Sequence, residues 1–240
     1  MSAPSGDLPE RNSAKAARLL EAAGDLLIGR GAKGFTVADV AQRAHVGKGT
    51  VYLYWQTKED LLIGLIGRGF LGLLDDLIET LTEQPDFARP SRFCPLMLEI
   101  ATSKPLVAAL QSRDEDLLGV LARDPRSVGF RDTLGPSAVI KAVLPVWRRN
   151  GLARTDWDID NQTFALHGLV TGVAMSMVGE APVAVDDWLG VLGAAVTALL
   201  GPERANRKQL AATVAEVVKF LRQARIAALA LINPTTGGSP

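Results

Sequence analysis

The chain has 240 residues, of which 48% are hydrophobic and 22% charged, so its apolar content is sufficient for a folded core and excludes an intrinsically disordered protein. A single cysteine, Cys94, excludes an intrachain disulfide and indicates a reducing compartment. The formal net charge is zero, yet residues 11–58 hold eight basic and three acidic side chains. Such segregation can mark a module that binds a polyanion, although chance segregation is the alternative.

The two ends of the chain are rich in Pro, Gly and Ser, and we expect residues 1–10 and 233–240 to be disordered tails. We predict no signal peptide, because the sequence does not open with a basic segment followed by an apolar run. The most apolar stretch, residues 164–179, is shorter than the roughly 20 residues that a membrane-spanning helix needs. We therefore expect a cytoplasmic protein with no membrane partner.

The first helix is predicted over residues 13–29, where apolar residues recur at helical spacing. The segment GRGAKG that follows is suited to ending a helix. It also matches the pattern G-x-G-x-x-G, but a dinucleotide site is excluded because that motif needs a preceding strand.

A short second helix is predicted over residues 37–44, with Thr36 as its N-cap and Asp39 completing a capping box. A turn of about three residues, HVG, separates it from another short helix that runs from residue 47 or 48 to residue 55. Thr57 and Asp60 mark the start of a long helix that reaches about residue 82. Further helices are expected, between clusters of Pro, Gly and Asp, at about 91–102, 104–122, 135–150, 160–179, 185–200 and 203–231.

Residues 46–55, VGKGTVYLYW, have the composition of a strand. The spacing of the two short helices is nevertheless that of a helix-turn-helix, whose second helix enters the DNA major groove. Glycines permit close approach to DNA, and hydroxyl, ammonium and aromatic groups can contact phosphates and base edges. The candidate DNA contacts are Thr36, Gly47, Lys48, Gly49, Thr50, Tyr52, Tyr54 and Lys58. Lys58 is included because a cation at a helix N-terminus suits a docked phosphate, although it could be simply solvated.

Residues 35–62, FTVADVAQRAHVGKGTVYLYWQTKEDLL, resemble the DNA-binding region of TetR-family transcriptional regulators. The shared features are Phe35-Thr36 before the second helix, the segment VGKGTVY, the aromatic pair Tyr54-Trp55 and the entry TKEDLL to the long helix. Two positions depart from the family: Leu53, where a polar or aromatic residue is frequent, and Trp55, where Phe is more usual.

The resemblance implies an all-α homodimer that binds a palindromic operator in double-stranded DNA. It implies an N-terminal three-helix DNA-binding domain, here residues 11–57, and a larger helical domain, residues 58–232, that binds a small-molecule effector and dimerises. The implied activity is repression that a hydrophobic effector relieves. A TetR-like activator and an all-α adaptor that binds proteins instead of DNA are the alternatives.

The family pattern also implies that helices 160–179 and 185–200 form a four-helix bundle across the dimer axis, unless they are intrachain core. The candidate interface residues are Gly168, Gly172, Trp188 and Val196; the two glycines have a spacing that allows close helix approach. Candidate effector contacts are the bulky residues of the middle helices, which are more often plain core, and one histidine: Phe93, Met97, Phe130, Trp147, Phe164, His167 and Met175.

Other kinds of site find little support. Two histidines and one cysteine far apart argue against zinc, and no G-x-S-x-G or Walker sequence is present. We therefore predict no catalytic residue, no metal and no cofactor. Cys94 could sense redox state, but a lone cysteine beside a proline usually behaves as a small hydrophobic residue.

Overall fold

The computed structural model describes residues 8–104, 135–178 and 185–232, together with Arg126, Val128, Gly129 and Thr133. In these residues all regular structure is helical, which confirms the predicted all-α fold. The helices are α1 (Pro9–Asn12), α2 (Ala14–Arg30), α3 (Val37–Arg43), α4 (Lys48–Tyr52), α5 (Lys58–Glu83), α6 (Pro90–Ser103), α7 (Pro136–Arg149), α8 (Ile159–Val178), α9 (Trp188–Leu200) and α10 (Arg207–Ile232), with a 3₁₀ turn at Pro85–Ala88.

Helix starts agree with the caps read from the sequence. Thr36 and Asp39 form a capping box, in which the Thr36 N–H donates to the Asp39 carboxylate at 2.6 Å and the Asp39 N–H donates to Thr36 Oγ1 at 3.3 Å. Thr57 and Asp60 repeat the arrangement at the start of α5, with distances of 3.2 and 3.0 Å. The helix predicted over 104–122 lies, apart from Lys104, outside the described residues.

Helix α4 is shorter than predicted. It ends at Tyr52, and the N–H groups of Tyr54 and Trp55 both donate to the Val51 carbonyl at 3.0 Å. This tight turn brings Trp55 into the core, where it is buried.

The chain divides into two compact units. Among the described residues, unit 1 contains residues 8–71, the positions 126, 128 and 129, and residues 227–232, while unit 2 contains residues 72–104, 133, 135–178 and 185–226. The sequence had suggested a boundary at residue 57, whereas the division falls between Leu71 and Gly72, inside α5. The reason is that Leu61, Leu62 and neighbouring apolar residues of α5 belong to the core of unit 1.

Residues 8–10 belong to folded structure, although the sequence assigned them to a disordered tail. Leu8 is buried, and Glu10 forms a two-pronged ion pair with Arg68 of α5 at 2.5 and 2.6 Å. Burial alone raises the pKa of the Glu10 carboxyl, but the hydrogen bond and charge of Arg68 outweigh it and leave this pKa below its usual value. The ion pair therefore fastens the start of the chain to α5.

In unit 2, α6 packs against α9, and α8 packs against both α7 and α9. The rings of Phe93 and Trp147 meet edge to face with centroids 5.6 Å apart, and Trp147 Nε1 donates to the Ala88 carbonyl at 2.9 Å. Gly193 of α9 lies so close to α6 that an added Cβ would stand 2.7 Å from the Ser91 carbonyl oxygen. Only a glycine lets these two helices approach to this distance.

His45, in the turn between α3 and α4, has a left-handed backbone with φ of 55°. This conformation costs an L-residue free energy that glycine avoids. We expect His45→Gly to raise the free energy of unfolding by up to about 1 kcal/mol, measured by urea denaturation. The control is Ala44→Gly, because Ala44 is right-handed and buried and its replacement should lower stability. A lower stability for His45→Gly would show that the turn does not strain this residue.

Candidate nucleic-acid interface

Helices α3 and α4 form the predicted helix-turn-helix around a shared core. Val40 and Ala41 of α3 and Val51 of α4 are buried together with residues of α2 and the start of α5, and Val46 packs against the same cluster. Val51 is the only fully buried residue of α4 among Lys48–Tyr52. One side of α4 is therefore anchored and the rest of its surface is left for contacts outside the unit.

We call this outward part of α4 the recognition surface, and define it by Gly47, Lys48, Gly49, Thr50 and Tyr52. All are exposed except Thr50, which is half-buried. The Lys48 ammonium lies 6.0 Å from the centroid of the Tyr52 ring. A cation near the ring of an exposed tyrosine suits phosphate oxygens and base edges.

The two glycines of the recognition surface have no internal role that requires glycine. A Cβ built on Gly47 or Gly49 meets nothing within 4 Å, and Gly47 has an ordinary φ of −70°. Glycine is therefore not needed here for folding. Its effect is to let an outside molecule come close to the backbone of α4.

Two candidate contacts, Thr36 and Tyr54, have internal hydrogen-bond partners. The Thr36 hydroxyl donates to Asp39 at 2.7 Å, although Thr36 itself stays exposed. The Tyr54 hydroxyl lies 2.7 Å from Ser13 Oγ, and its half-buried ring packs on the core of unit 1. Tyr54 therefore joins the end of the helix-turn-helix to the N-cap of α2, and a DNA contact through its hydroxyl would have to displace that bond.

Lys58 has a structural role that the sequence did not reveal. Its ammonium donates to the carbonyls of Ala32, at 2.6 Å, and Phe35, and lies 4.3 Å from the centroid of the Phe35 ring. Burial lowers the pKa of this ammonium below its usual value. Two backbone carbonyls therefore hold this side chain against the connection between α2 and α3, and a contact of Lys58 with a docked phosphate stays a prediction.

The candidate effector contacts fall into different environments. Phe93, Met97 and Trp147 are buried, and the first and last of them pack directly on each other. Phe164 is 81% exposed, so it does not line an enclosed pocket of unit 2. His167 and Met175 are half-buried, and His167 Nε2 lies 3.4 Å from Thr171 Oγ1 of the same helix. Phe130 lies outside the described residues.

Two surface clefts in the described part of the chain are lined by residues other than the candidate effector contacts. A cleft of about 650 Å³ in unit 1 is lined by residues of α2, α3 and the turn after α3, and one of about 550 Å³ in unit 2 lies beside the 3₁₀ turn and the start of α10. None of the candidate effector residues lines either cleft. Of the described candidates, Phe93 and Trp147 are in direct contact, and a common effector site for the whole set stays a prediction.

The candidate dimer residues differ in their exposure. Gly168 and Gly172 are exposed on α8, and a Cβ added to either meets nothing within 4 Å. Trp188 is half-buried. Val196 is fully buried, which corrects its assignment to an interface, since it lies with Gly193 among the buried residues of α9, the helix that packs on α6.

Cys94 is a buried free cysteine. Burial raises the pKa of the Cys94 thiol to about 12, so the reactive thiolate is scarce at neutral pH. Within the described residues no group of three or more His, Cys, Asp or Glu side chains is placed to hold a metal ion. None of the helices in that part of the chain is long and apolar enough to cross a membrane.

Comparisons with known proteins agree with this geometry. Residues 19–65 match the family model of bacterial regulatory proteins of the tetR family. The fold is similar to that of the fatty acid degradation regulator FadR from Bacillus halodurans, with 18% identity, a TM-score of 0.54 and coverage of 81% of this chain and 98% of that one. It is also similar to the fold of the transcriptional regulator FadR from Bacillus subtilis in complex with stearoyl-CoA. That match has 14% sequence identity and a TM-score of 0.52, and it covers 77% of this chain and 97% of that one. No curated protein matches the chain.

The roles of Lys48 and Lys58 can be separated by two substitutions. Lys48→Ala should weaken DNA binding at least about 5-fold and leave the urea midpoint unchanged, because the side chain is exposed. Lys58→Met should lower the free energy of unfolding by about 1–3 kcal/mol, because it leaves two carbonyls without their donor. Full stability of Lys58→Met, or full DNA affinity of Lys48→Ala, would contradict the assignment concerned.

Proposed function

We propose that this chain, whose residues 19–65 match the model of the tetR family of bacterial regulatory proteins, is a transcriptional repressor of that family that binds a palindromic operator as a homodimer and leaves it when a hydrophobic small molecule binds. The family is one of DNA-binding transcription regulators. Repression, the operator, the dimer and the effector are the parts proposed here. A protein that acts on operator DNA works in the bacterial cytoplasm.

The recognition surface is the observation that carries the proposal. It combines an exposed lysine, an exposed tyrosine and two glycines that the fold does not need, on a short helix anchored by Val51. Residues 11–58, which include it, carry an excess of five positive charges. Such a surface suits the phosphates and base edges of a major groove better than the face of another protein.

The apolar faces of α8 and α9 support a homodimer. Residues Trp188–Leu200 contain no charged side chain, and α9 buries one side while Val191 on another side remains 53% exposed. On α8, Phe164 is exposed one helical turn before the open Gly168. Large exposed apolar surface of this kind marks an interface, and a second copy of the chain supplies the same surface.

A dimer gives the geometry that DNA requires. Two recognition helices must enter successive major grooves about 34–36 Å apart. Helix α5 contributes residues to unit 1 and to unit 2, so an effector bound by unit 2 could change the position of the recognition helices. A coupling of about 1–3 kcal/mol, or 5–150-fold in operator affinity, is typical of such linked sites.

The effector is proposed to be hydrophobic or amphipathic, because the helices of unit 2 are predominantly apolar. Bacillus subtilis FadR, whose overall fold is similar, is known in complex with stearoyl-CoA, and this supports an effector of similar character. No residue of this chain is assigned to the effector.

Selection of bound sequences from random double-stranded DNA tests the proposal. We expect an enriched inverted repeat. We also expect the affinity to fall steeply between about 50 and 200 mM salt, because binding to phosphates releases counterions from the DNA. Lys48→Ala is the matched variant and should enrich little. Binding without any sequence preference, or no binding at either salt concentration, would contradict a specific regulator.

The dimer can be tested by placing charge on the exposed face of α9. Val191→Glu should convert the dimer to a monomer in sedimentation analysis and abolish tight operator binding, because two carboxylates would be buried at the interface. Ile226→Glu, at a residue of α10 that is 64% exposed, is the control and should leave the dimer intact. Persistence of the Val191→Glu dimer would place the interface elsewhere.

A further inference from the structure

Leu53 follows α4 directly and keeps right-handed helical angles, with φ of −68° and ψ of −25°. Successive residues of an α-helix differ by about 100° around the axis, so Leu53 and Gly49 both lie about 160° from the buried Val51. They are neighbours one helical turn apart on the side that faces away from the core.

The side chain of Leu53 has no packing role in unit 1. It is 79% exposed, more than any other large hydrophobic residue described in residues 8–71, where the next is Ile28 at 59%. A single exposed leucine is not unusual on a protein surface. This one, however, directly follows the recognition surface, which is made of glycine, lysine, threonine and tyrosine.

The neighbours of Leu53 allow it to reach a base edge. Gly49 presents no side chain on the same side of the helix, and the space above its Cα is open, so the helix can approach the floor of a groove closely. Leucine has no hydrogen-bonding group and cannot read the donors and acceptors of a base pair. The one apolar group that a base presents in the major groove is the C5 methyl of thymine.

We propose that Leu53 determines part of the operator sequence by contacting the C5 methyl group of one thymine in each half-site. The inference rests on the proposed function and adds to it the identity of a base and of the residue that reads it. Burial of one methyl group predicts about a 4-fold effect on affinity for each half-site. For a symmetric dimer the two half-sites together predict about 15-fold.

Deoxyuridine tests this contact because it differs from thymidine only in lacking that methyl group. The probe is the sequence that the wild-type protein enriches from random DNA, with each thymine pair of the inverted repeat replaced in turn. We expect one symmetric replacement to weaken wild-type binding about 15-fold, and the same replacement to have no effect on Leu53→Ala. Leu53→Met, which keeps an apolar side chain of similar size, should retain most of the response.

Two control variants isolate the contact. Lys48→Ala should bind more weakly overall but keep the full response to deoxyuridine, because its contact is with a different group. Ile28→Ala, which also removes an exposed aliphatic side chain, should bind and respond as the wild type does. Circular dichroism should show unchanged helix content for Leu53→Ala, since the side chain supports nothing in the core.

The outcomes are distinct. Loss of the response only in Leu53→Ala supports the contact. A wild-type protein that tolerates every replacement, or a Leu53→Ala protein that responds as the wild type does, overturns it while leaving specific DNA binding intact. If no sequence is enriched at all, the proposed function fails and the inference fails with it.

Discussion

The packing of unit 1 depends on the ammonium group of Lys58. This first residue of α5 donates to the carbonyls of Ala32 and Phe35, both in the connection between α2 and α3. One side chain thus joins the start of a long helix to the loop that leads into the helix-turn-helix. Because a partly buried ammonium and two carbonyls satisfy each other, removing the donor leaves both acceptors without this partner and lowers the stability of the unit.

This arrangement separates residues that hold the unit together from residues that face outward. Val51 and Trp55 are buried and anchor α4 and the turn after it on the core. Tyr54 adds a hydrogen bond to Ser13. Lys48 and Leu53 contribute nothing to that packing and stay exposed. Because these outward-facing residues have no part in the packing, their types can suit a binding partner. The short helix therefore tolerates two glycines and several residues that favour strands.

The features that sequence could predict are local ones. The capping boxes at Thr36 and Thr57 depend on residues three positions apart, so the sequence predicts where α3 and α5 begin. The partners of Lys58 and Tyr54 are 23–41 positions away, and no spacing rule reveals them. Helix α9 is apolar on all sides, so its sequence cannot tell that Val196 faces the core while Val191 faces outward.

The most direct test of a dimer that reads DNA through its recognition surface is a hydroxyl-radical footprint on an enriched sequence, combined with the number of chains bound per DNA. The account predicts two chains per site and two protected segments on one face of the duplex, with centres about one helical turn apart. Lys48→Ala should lose both segments together. A single protected segment with one bound chain would contradict the account.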